Sequence, residues 1–582
     1  MIVESRTNQA KRGLGCGALL GCSRLSLPSI HTSFQDFIDI LLLEYLSILL
    51  LWTPPLRSGH WRIRMLYRPC LTTTHPRYTI VHVLSKSPHI VASPVYNFFR
   101  RAMSTHYDAL ILGSGQSGSP LASAFAAAHK SVALVEASHI GGTCINEGCT
   151  PTKTMIASGR VAYLARRAAD YGVHTSAPEV DMSKIRQRKR EIVDSFRGGS
   201  ERRLEGSGVD VIKGTAKFVE SAEGEKKVKV AMSDGSEEKT VTGGMVFINT
   251  GARPARPKLP GLEDLDQKRV LDSTSVMELD VVPEHLVVLG GGYIALEFGQ
   301  LFRRLGAKVT VIQRSAQLLP REDKDVAAEM QKILTEDGLD ILLNSEAKSV
   351  ATAESGHIAV TVAVKGGSDT KSLKASHLLL AAGRTPNTDT LNVSAAGIKT
   401  DNHGFILVND RLETNIPGIY ALGDIKGGPA FTHISYDDFR IIRSNLLPSP
   451  SNPSPPAPKS TSSRTPVYVV YTDPQLAHVG LHEHEARAKY PQQGEIKVAK
   501  MPMAYVARAL ETDESRGLMK AVVDGETGKI LGFTCLGLEG GEVMAVVQTA
   551  MLGGMRWEGL REAVFAHPSL AEGLNNLWGF LE

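Results

Sequence analysis

YDALILGSGQSG, residues 107–118, is the stretch that decides the fold of this chain. Its first half, residues 107–112, is an apolar run that predicts a β-strand. Three glycines with the spacing of a nucleotide-binding turn come next, namely Gly113, Gly115 and Gly118. In such a turn the first glycine permits the sharp bend, the second lets the backbone approach a pyrophosphate, and the third allows close helix packing. The stretch therefore predicts a strand that leads into a phosphate-binding loop.

The residues that follow complete a βαβ unit. Small residues over 121–129 predict a helix, and residues 131–135 predict a second strand that ends at Glu136. The positive end of the helix would face the phosphates, and an acid at this position is placed to bind a ribose 2′-hydroxyl. The sequence thus predicts a dinucleotide site.

A second unit of the same kind occurs further along the chain. Its first strand is predicted over residues 285–289, and the glycine turn follows over residues 290–295. The helix is predicted over residues 296–305 and the second strand over residues 308–312. Here Gln313 takes the place of the acid, and Arg314 follows. A neutral residue beside an arginine suits a 2′-phosphate better than a free ribose. We therefore expect NADPH to be preferred over NADH.

Two dinucleotide sites in one chain fit an enzyme that passes hydride from a nicotinamide to a flavin. The run TNIPGIYALGD, residues 414–424, is typical of a chain that returns to the flavin after the second unit. We expect Asp424 to bind the ribityl hydroxyls of FAD. A helix that begins near Thr432 and His433 would aim its positive end at the flavin and stabilise the reduced, anionic form.

Six cysteines in 582 residues are too few for a disulfide scaffold. Cys144 and Cys149 are close together in a structured context, within the run GGTCINEGCTPTK of residues 141–153. The other cysteines are Cys16, Cys22, Cys70 and Cys535. Thiols spaced like Cys144 and Cys149 can close a disulfide that a flavin reduces and a substrate reoxidises.

The net charge of +4 combines two different parts of the chain. Residues 1–102 carry 12 Lys/Arg and four Asp/Glu, whereas the remainder carries 53 basic and 57 acidic residues. A mildly acidic body has no electrostatic footprint for nucleic acid. The apolar segment 37–52 is interrupted by acids and is shorter than the roughly 20 residues of a membrane-spanning helix. No nucleic-acid or membrane partner is expected.

Residues 1–103 do not have the pattern of a folded domain, and Met103 precedes the first strand like a natural beginning. The segment is basic and contains several prolines, but its start lacks the amphipathic arginine-rich face of a mitochondrial presequence. We expect a leader that is disordered or missing from the mature protein. The expected location is cytoplasmic, with the mitochondrion as the alternative.

From about residue 104 to residue 582 the chain resembles the class I pyridine nucleotide-disulfide oxidoreductases, which include dihydrolipoamide dehydrogenase, glutathione reductase and mercuric reductase. The finer likeness is to the reactive-chlorine-resistance and mercuric-reductase-like subgroup. It is carried by the runs FINTGA, LPRED and FTHISYDD at residues 247–252, 319–323 and 431–438. The resemblance implies an α/β fold with two Rossmann-type dinucleotide-binding domains, for FAD and NAD(P), and a C-terminal α+β dimerisation domain.

The resemblance also assigns roles to the two cysteines. Cys149 is expected to lie against the flavin as the charge-transfer thiol, and Cys144 to meet the substrate as the interchange thiol. Their Cα atoms would be too far apart on a regular helix to form a disulfide, so the first turn has to be distorted, with Gly148 supplying the freedom. A helix start and nearby Lys153 would lower the pKa of a thiol.

Five further residues match functional positions of the family. Lys153 matches the lysine near flavin N5, and Glu297 matches its ion-pair partner. Tyr293 matches the tyrosine that covers the flavin until the nicotinamide enters. His567 and Glu572 match the acid/base pair, in which the histidine reaches the disulfide of the partner subunit. The resemblance therefore implies a homodimer.

The full set of expected cofactor-binding residues follows from the turns and the resemblance together. The FAD site is expected to include Gly113, Gly115, Gly118, Glu136, Gly142, Thr143, Lys153, Gly251, Asp424 and His433. The NADP site is expected to include Gly290, Gly292, Tyr293, Glu297, Gln313, Arg314 and Gly383. No metal-binding residue is expected.

The predicted domains are contiguous. The leader covers residues 1–103, and the first part of the FAD domain covers residues 104–258. The NAD(P) domain covers residues 259–383, and a central segment over residues 384–446 completes the FAD site. A Pro/Ser-rich linker over residues 447–466 leads to the dimerisation domain, residues 467–582.

The sequence limits the choice of electron acceptor only by excluding some candidates. Mercuric reductases typically end in a vicinal cysteine pair, and residues 577–582 contain none, although the inner pair could still bind a soft metal. Gln313 and Arg314 argue against the NAD-dependent dihydrolipoamide dehydrogenases. We favour a metal-ion or oxidative-stress substrate over lipoamide or glutathione disulfide. A non-catalytic flavin-binding subunit is the alternative of another class.

Overall fold

The computed structural model describes residues 105–222, 224–353, 356–366, 370–448, 458–492 and 495–582. The predicted leader and the apolar segment 37–52 lie outside these residues, as do residues 449–457 of the predicted linker. Within the described ranges, no helix is long and apolar enough to cross a membrane.

The helices are named in chain order. They are α1 (Gly118–Ala127), α2 (Gly142–Asn146), α3 (Cys149–Arg166), α4 (Met182–Ser207), α5 (Tyr293–Leu305), α6 (Lys324–Glu336), α7 (Thr388–Leu391), α8 (Thr432–Leu446), α9 (Glu483–Lys489), α10 (Ala507–Glu511), α11 (Gly540–Leu552), α12 (Trp557–Arg561) and α13 (Gly573–Leu577). Short 3₁₀ helices lie at Ala168–Tyr171, Ser275–Glu278, Val393–Ala396, Gly423–Lys426, Thr461–Ser463, Met503–Tyr505 and Trp578–Phe580.

The strands are numbered in the same way. They are β1 (His106–Leu112), β2 (Val132–Glu136), β3 (Asp210–Phe218), β4 (Lys227–Met232), β5 (Lys239–Ile248), β6 (Ala252–Pro254), β7 (Val270–Leu271), β8 (His285–Leu289), β9 (Lys308–Ile312), β10 (Asp340–Leu342), β11 (Ser345–Thr352), β12 (Ile358–Val364), β13 (Thr370–Ala375), β14 (His377–Leu380), β15 (Arg384–Pro386), β16 (Ile419–Ala421), β17 (Val467–Val470), β18 (Gln475–Gly480), β19 (Ile496–Pro502), β20 (Leu518–Asp524) and β21 (Ile530–Gly537).

The first sheet contains the predicted flavin turn. Strand β1 lies between β2 and β5, parallel to both, and β16 pairs in parallel with the other edge of β5. Strand β4 pairs antiparallel with the second half of β3 and with the first half of β5. The return of the chain at β16 therefore brings the residues after 421 to the carboxyl end of β1, where the glycine turn lies.

The second sheet is parallel throughout, in the order β10-β9-β8-β14-β7. Strands β8 and β9 begin and end where the sequence predicts. A strand that is covered on both faces is a continuous apolar run, so its limits can be read from the sequence. Strand β8 is such a strand, because it is buried along its whole length. Antiparallel strands β11, β12 and β13 lie beside this sheet, and β6 pairs with β15.

The C-terminal part is an antiparallel sheet in the order β17-β18-β21-β20-β19. Its inner face shares a core with the second unit, because Leu476 and Leu536 cluster with Phe298 and Phe302 of α5. All four side chains are almost completely buried. This packing brings β17 to the same region as the first residues of α5.

Candidate active site

One cavity of about 820 Å³ contains most of the predicted site residues. It is lined by Gly113, Gly115, Glu136, Gly142, Thr143, Cys144, Cys149, Lys153, Gly251, Tyr293, Glu297, Asp424 and His433. The predicted residues outside its lining are Gly118, Gly290, Gly292, Gln313, Arg314, Gly383, His567 and Glu572. The structure thus brings the first glycine turn and the two cysteines together.

The first glycine turn is built so closely that side chains are excluded. Gly113 has φ +98°, and a Cβ there would lie 2.4 Å from the carbonyl oxygen of Asn249. A Cβ at Gly118 would lie 2.1 Å from the oxygen of Gly113. Contacts this short are prohibitive, so both positions require glycine. Although Gly118 does not line the cavity, it sets the distance between the turn and α1.

Glu136 already accepts hydrogen bonds at the end of β2. The Ser114 backbone N–H and hydroxyl donate to Oε2 at 2.9 and 2.6 Å, and the Ser138 N–H donates to Oε1 at 2.9 Å. Asn249, buried at the end of β5, accepts from the Gly118 N–H at 2.9 Å and donates to the Leu422 carbonyl at 3.0 Å. The sequence analysis did not predict these contacts of Asn249. The available signal was a polar residue directly after an apolar strand.

The cysteines lie on two helices with a break between them. Cys144 is in α2, and Cys149 is the first residue of α3, with Gly148 between them at φ −127° and ψ −112°. This is the predicted distortion of the first turn. Gly142 joins the pair to the glycine turn, because a Cβ on it would lie 2.7 Å from the Cα of Gly115.

Both cysteines are free thiols, and their environments separate their pKa values. The Cys144 thiol, the Thr432 hydroxyl and the Lys153 ammonium lower the pKa of Cys149 to about 6, against the effect of burial. The neighbouring Cys149 sulfur and burial raise the pKa of Cys144. The two shifts therefore favour a negative charge on Cys149 and a proton on Cys144 at neutral pH.

Thr432 begins α8, as the sequence predicts, but its contact with Cys149 was not predicted. Its Oγ1 lies 3.2 Å from the Cys149 sulfur, because the first residue of α8 faces the first residue of α3. The two residues are 283 positions apart in the chain. The only signal in the sequence was that Thr432 precedes His433, which is a predicted FAD-binding residue. The His433 Nε2 lies 2.6 Å from the Val467 oxygen.

Lys153 and Glu297 form an ion pair between α3 and α5. The Lys153 ammonium donates to Glu297 Oε2 at 2.8 Å, and the other carboxylate oxygen accepts the Tyr471 N–H at 2.8 Å. The Lys153 nitrogen also lies 4.9 Å from the centre of the Tyr471 ring. Because Glu297 is buried and both its oxygens are bonded, it holds the lysine in a fixed position in the cavity wall.

Asp424 lines the cavity at the point where the chain returns after β16. Burial raises the pKa of its carboxyl group, although the positive charges of Arg384 and Lys426 oppose this effect. Its position depends on fully buried Asp438, which accepts the Gly423 N–H at 2.8 Å and pairs with Lys426 at 3.3 Å. Asp438 is thus a supporting residue that the sequence analysis did not single out.

The second glycine turn lies outside the cavity lining. Gly290 has φ +119°, and a Cβ there would lie 2.5 Å from the Ala381 oxygen, so this turn also needs glycine. Gln313 donates to the Ser315 hydroxyl at 2.6 Å. The Arg314 side chain is 75% exposed, with Glu346 at 4.0 Å. The arginine is therefore free to meet an anion that approaches this turn.

His567 and Glu572 contact each other but not the cavity. The imidazole Nδ1 lies 2.9 and 3.1 Å from the two Glu572 oxygens. The His567 side chain is 71% exposed. Within one chain, His567 therefore faces solvent rather than its own cysteines.

The cavity fits a flavin dinucleotide. Its volume is in the range of cofactor pockets. It joins a glycine turn of the phosphate-binding type to a thiolate, a lysine and a helix start. Among the described residues, no group of three or more His, Cys, Asp or Glu side chains is arranged to hold a metal ion.

Comparison with known families decides what this arrangement is. Residues 107–438 match the model described as pyridine nucleotide-disulphide oxidoreductase, and residues 467–577 match the dimerisation domain of the same family. The chain belongs to the pyridine nucleotide-disulphide oxidoreductases. The predicted family, fold class and cofactors, FAD and NAD(P)H, are confirmed.

Individual relatives of this oxidoreductase match over nearly the whole described region. The probable pyridine nucleotide-disulfide oxidoreductase RclA of Escherichia coli (strain K12) is 36% identical over 480 residues, 82% of this chain and 99% of its own length. A mercuric reductase of Lysinibacillus sphaericus is 35% identical over 477 residues, 81% of each chain. The solved Cu(II) complex of the HOCl-induced flavoprotein disulfide reductase RclA from Escherichia coli has a TM-score of 0.71 at 34% identity, covering 82% of this chain and 99% of that one.

The chain is therefore a flavoprotein disulfide oxidoreductase that acts on sulfur groups with NAD(P). Its dimerisation domain supports a homodimer.

Proposed function

We propose that this oxidoreductase passes electrons from NADPH, through FAD, to the Cys144–Cys149 pair and on to a small-molecule disulfide or a soft metal ion. The observation that carries the proposal is the Cys149 sulfur. It lies in the same cavity as the first glycine turn, beside Thr432, with its pKa lowered to about 6. Such a sulfur is a thiolate at neutral pH.

The cofactor would be held by residues from three parts of the chain. Gly113, Gly115 and the start of α1 would take the pyrophosphate, Glu136 the ribose, and Asp424 the ribityl chain. Bound FAD supplies a two-electron relay between a nicotinamide and a disulfide. The Lys153–Glu297 pair would keep a fixed positive charge beside that relay, which favours a reduced, anionic flavin over the neutral oxidised form.

The two thiols would reduce the electron acceptor. Two electrons and one proton convert the Cys144–Cys149 disulfide to a thiolate on Cys149 and a thiol on Cys144, which agrees with the lowered pKa of Cys149 and the raised pKa of Cys144. With a disulfide substrate, deprotonated Cys144 attacks one substrate sulfur and releases the first thiol. Cys149 then attacks the Cys144 sulfur, which releases the second thiol and restores the disulfide.

His567 would move the proton of the interchange thiol across the dimer. Its Nδ1 faces Glu572, so Nε2 is the nitrogen left to take and return a proton. The exposure of His567 in a single chain is what a contribution to the partner subunit requires. Glu572 would stabilise the imidazolium while the proton is held.

The donor is proposed to be NADPH because of the second turn. Arg314 is exposed and follows the strand β9 that ends beside Gly290, and Gln313 is neutral. Gly290 and Gly292 supply a turn without side chains, and Gly383 lies between β14 and β15. This arrangement supports binding of a 2′-phosphate by Arg314 and leaves the neighbouring position without a repelling acid.

The soft-metal part of the proposal is supported by the thiol chemistry and by two relatives. A thiolate pair is a ligand set for soft metals. One relative is named a mercuric reductase, and another was solved as a Cu(II) complex.

The test is a turnover panel with the full-length holoenzyme. NADPH oxidation is measured with lipoamide, glutathione disulfide, Hg(II), Cu(II) and quinones, for the wild type and for Cys144→Ser. Flavin reduction by NADPH should persist in Cys144→Ser, whereas turnover with disulfides or metals should be lost. Cys535→Ser is the matched control, because this thiol is completely buried in the C-terminal sheet. Unchanged turnover in Cys144→Ser would contradict the proposal.

A further inference from the structure

A buried acid that takes no part in the thiol chemistry lies close to the cavity. Glu322 is 6% exposed and lies two residues before α6. Its Oε1 accepts a hydrogen bond from the Tyr468 hydroxyl. Its Oε2 makes no hydrogen bond within the described residues, and the His482 Nδ1 lies 3.9 Å away. A buried carboxyl group held by one tyrosine is an unusually costly arrangement to keep.

Tyr468 connects this acid to the cavity wall. Its hydroxyl also lies 3.2 Å from His482 Nε2, and its ring lines the cavity. The ring is stacked on Phe431, with centroids 5.6 Å apart and planes 5° apart. Phe431 in turn lies 5.5 Å from the ring of Tyr293. A continuous aromatic column therefore runs from buried Glu322 to Tyr293.

The column joins three segments that are distant in sequence. Glu322 belongs to the loop that follows β9, Phe431 directly precedes α8, and Tyr468 is in β17. Burial raises the pKa of Glu322 to about 7 and also raises the pKa of Tyr468, so the tyrosine remains a hydrogen-bond donor. The loop of the second unit is thus tied to the wall of the flavin cavity through one hydroxyl group.

We propose that Glu322 and Tyr468 are positioning residues for the nicotinamide side of the site. They anchor Phe431 as a preformed wall, which the nicotinamide contacts when it displaces Tyr293. The inference rests on the proposed role of Tyr293 as the ring that the nicotinamide displaces. Loss of the anchor leaves Phe431 to be ordered when the nucleotide binds, and that cost lowers its affinity.

The test compares the reaction of the holoenzyme flavin with NADPH and its reaction with dithiothreitol. Tyr468→Phe keeps the ring and removes the hydroxyl, whereas Glu322→Leu removes the acceptor and Glu322→Gln keeps it. For Tyr468→Phe and Glu322→Leu, the Kd of NADP⁺ from calorimetry and the KM for NADPH should rise about three- to tenfold, with little change in kcat. Glu322→Gln should resemble the wild type. Reduction of the flavin by dithiothreitol, which enters through the cysteines, should be unchanged in all three variants.

Tyr505→Phe is the control, because this tyrosine is 60% exposed and lies against Phe580, away from the cavity. Equal losses of nicotinamide and dithiothreitol reactions, or an unchanged NADP⁺ affinity in both Tyr468→Phe and Glu322→Leu, would overturn the inference. Flavin content and circular dichroism verify folding, and Tyr468→Phe carries the test if Glu322→Leu does not fold. If NADPH does not reduce the wild-type flavin, the proposed function itself fails.

Discussion

Replacement of Thr432 by valine tests whether the thiolate on Cys149 depends on a hydroxyl group from another part of the chain. Valine has nearly the same shape as threonine but cannot donate a hydrogen bond. The Thr432 oxygen lies 3.2 Å from the Cys149 sulfur, so the substitution removes one charge-assisted hydrogen bond and leaves the packing almost intact. The pKa of Cys149 should therefore rise from its lowered value of about 6.

The size of the shift follows from the bond that is lost. A hydrogen bond to a charged group contributes about 1.5 to 3 kcal/mol, and one pKa unit corresponds to about 1.4 kcal/mol. Because the sulfur lines an open cavity, we take the lower end and expect a rise of about one unit. At pH 6.5 the thiolate fraction should then fall from about three quarters to about one quarter. The thiolate is the form above the pKa, so the loss is greatest between pH 6 and 7.

The assay is the pH dependence of alkylation by iodoacetamide in the reduced protein, with the modified Cys149 peptide measured by mass spectrometry. Thr432→Ser keeps the hydroxyl and should keep the low midpoint. Thr154→Val is the matched control, because this hydroxyl lies in the same helix as Cys149 but donates to the Thr150 carbonyl at 2.8 Å. An unchanged midpoint in Thr432→Val, or an equal shift in Thr154→Val, would refute the reasoning.

Three other outcomes can be checked with standard kinetics. His567→Ala should slow disulfide turnover at least about 100-fold but leave flavin reduction by NADPH unchanged in stopped-flow measurements; equal losses would argue against the proton role. Arg314→Ser should lower kcat/KM for NADPH about tenfold with little change for NADH, and a parallel loss for both donors would contradict the assignment. Glu297→Gln should weaken the hold on Lys153 and slow flavin reduction by NADPH about tenfold; a rate equal to that of the wild type would show that the ion pair is dispensable.

Much of the fold could be predicted from local patterns. The parallel strands β8 and β9 are buried apolar runs, and their limits agree with the sequence analysis. Helices α1 and α5 each begin three residues before the predicted start, at Gly118 and Tyr293. The sequence analysis placed both turns correctly, but it counted the last residues of each turn as loop, whereas the backbone is already helical there. Boundaries of this kind depend on how the turn packs.

The chemical identity of the site was readable because its residues occur in short runs. Cys144, Cys149 and Lys153 lie within ten positions of one another, and the glycine turns are contiguous. The contacts of Thr432, Asn249 and Tyr471 were not predicted, because each residue meets its partner across more than 100 residues of chain. No local pattern records such contacts.

The sequence by itself determined the family, the two dinucleotide turns and the pair of cysteines. These features depend on neighbouring residues, whose spacing is set by backbone geometry. Only the tertiary structure decided which groups lower the pKa of Cys149, because Thr432 at the start of α8 lies far from it in the chain. It also decided that Glu322 and Tyr468 meet at the cavity wall. Hydrogen bonds and burial act over a few ångströms in space, whatever the separation along the chain.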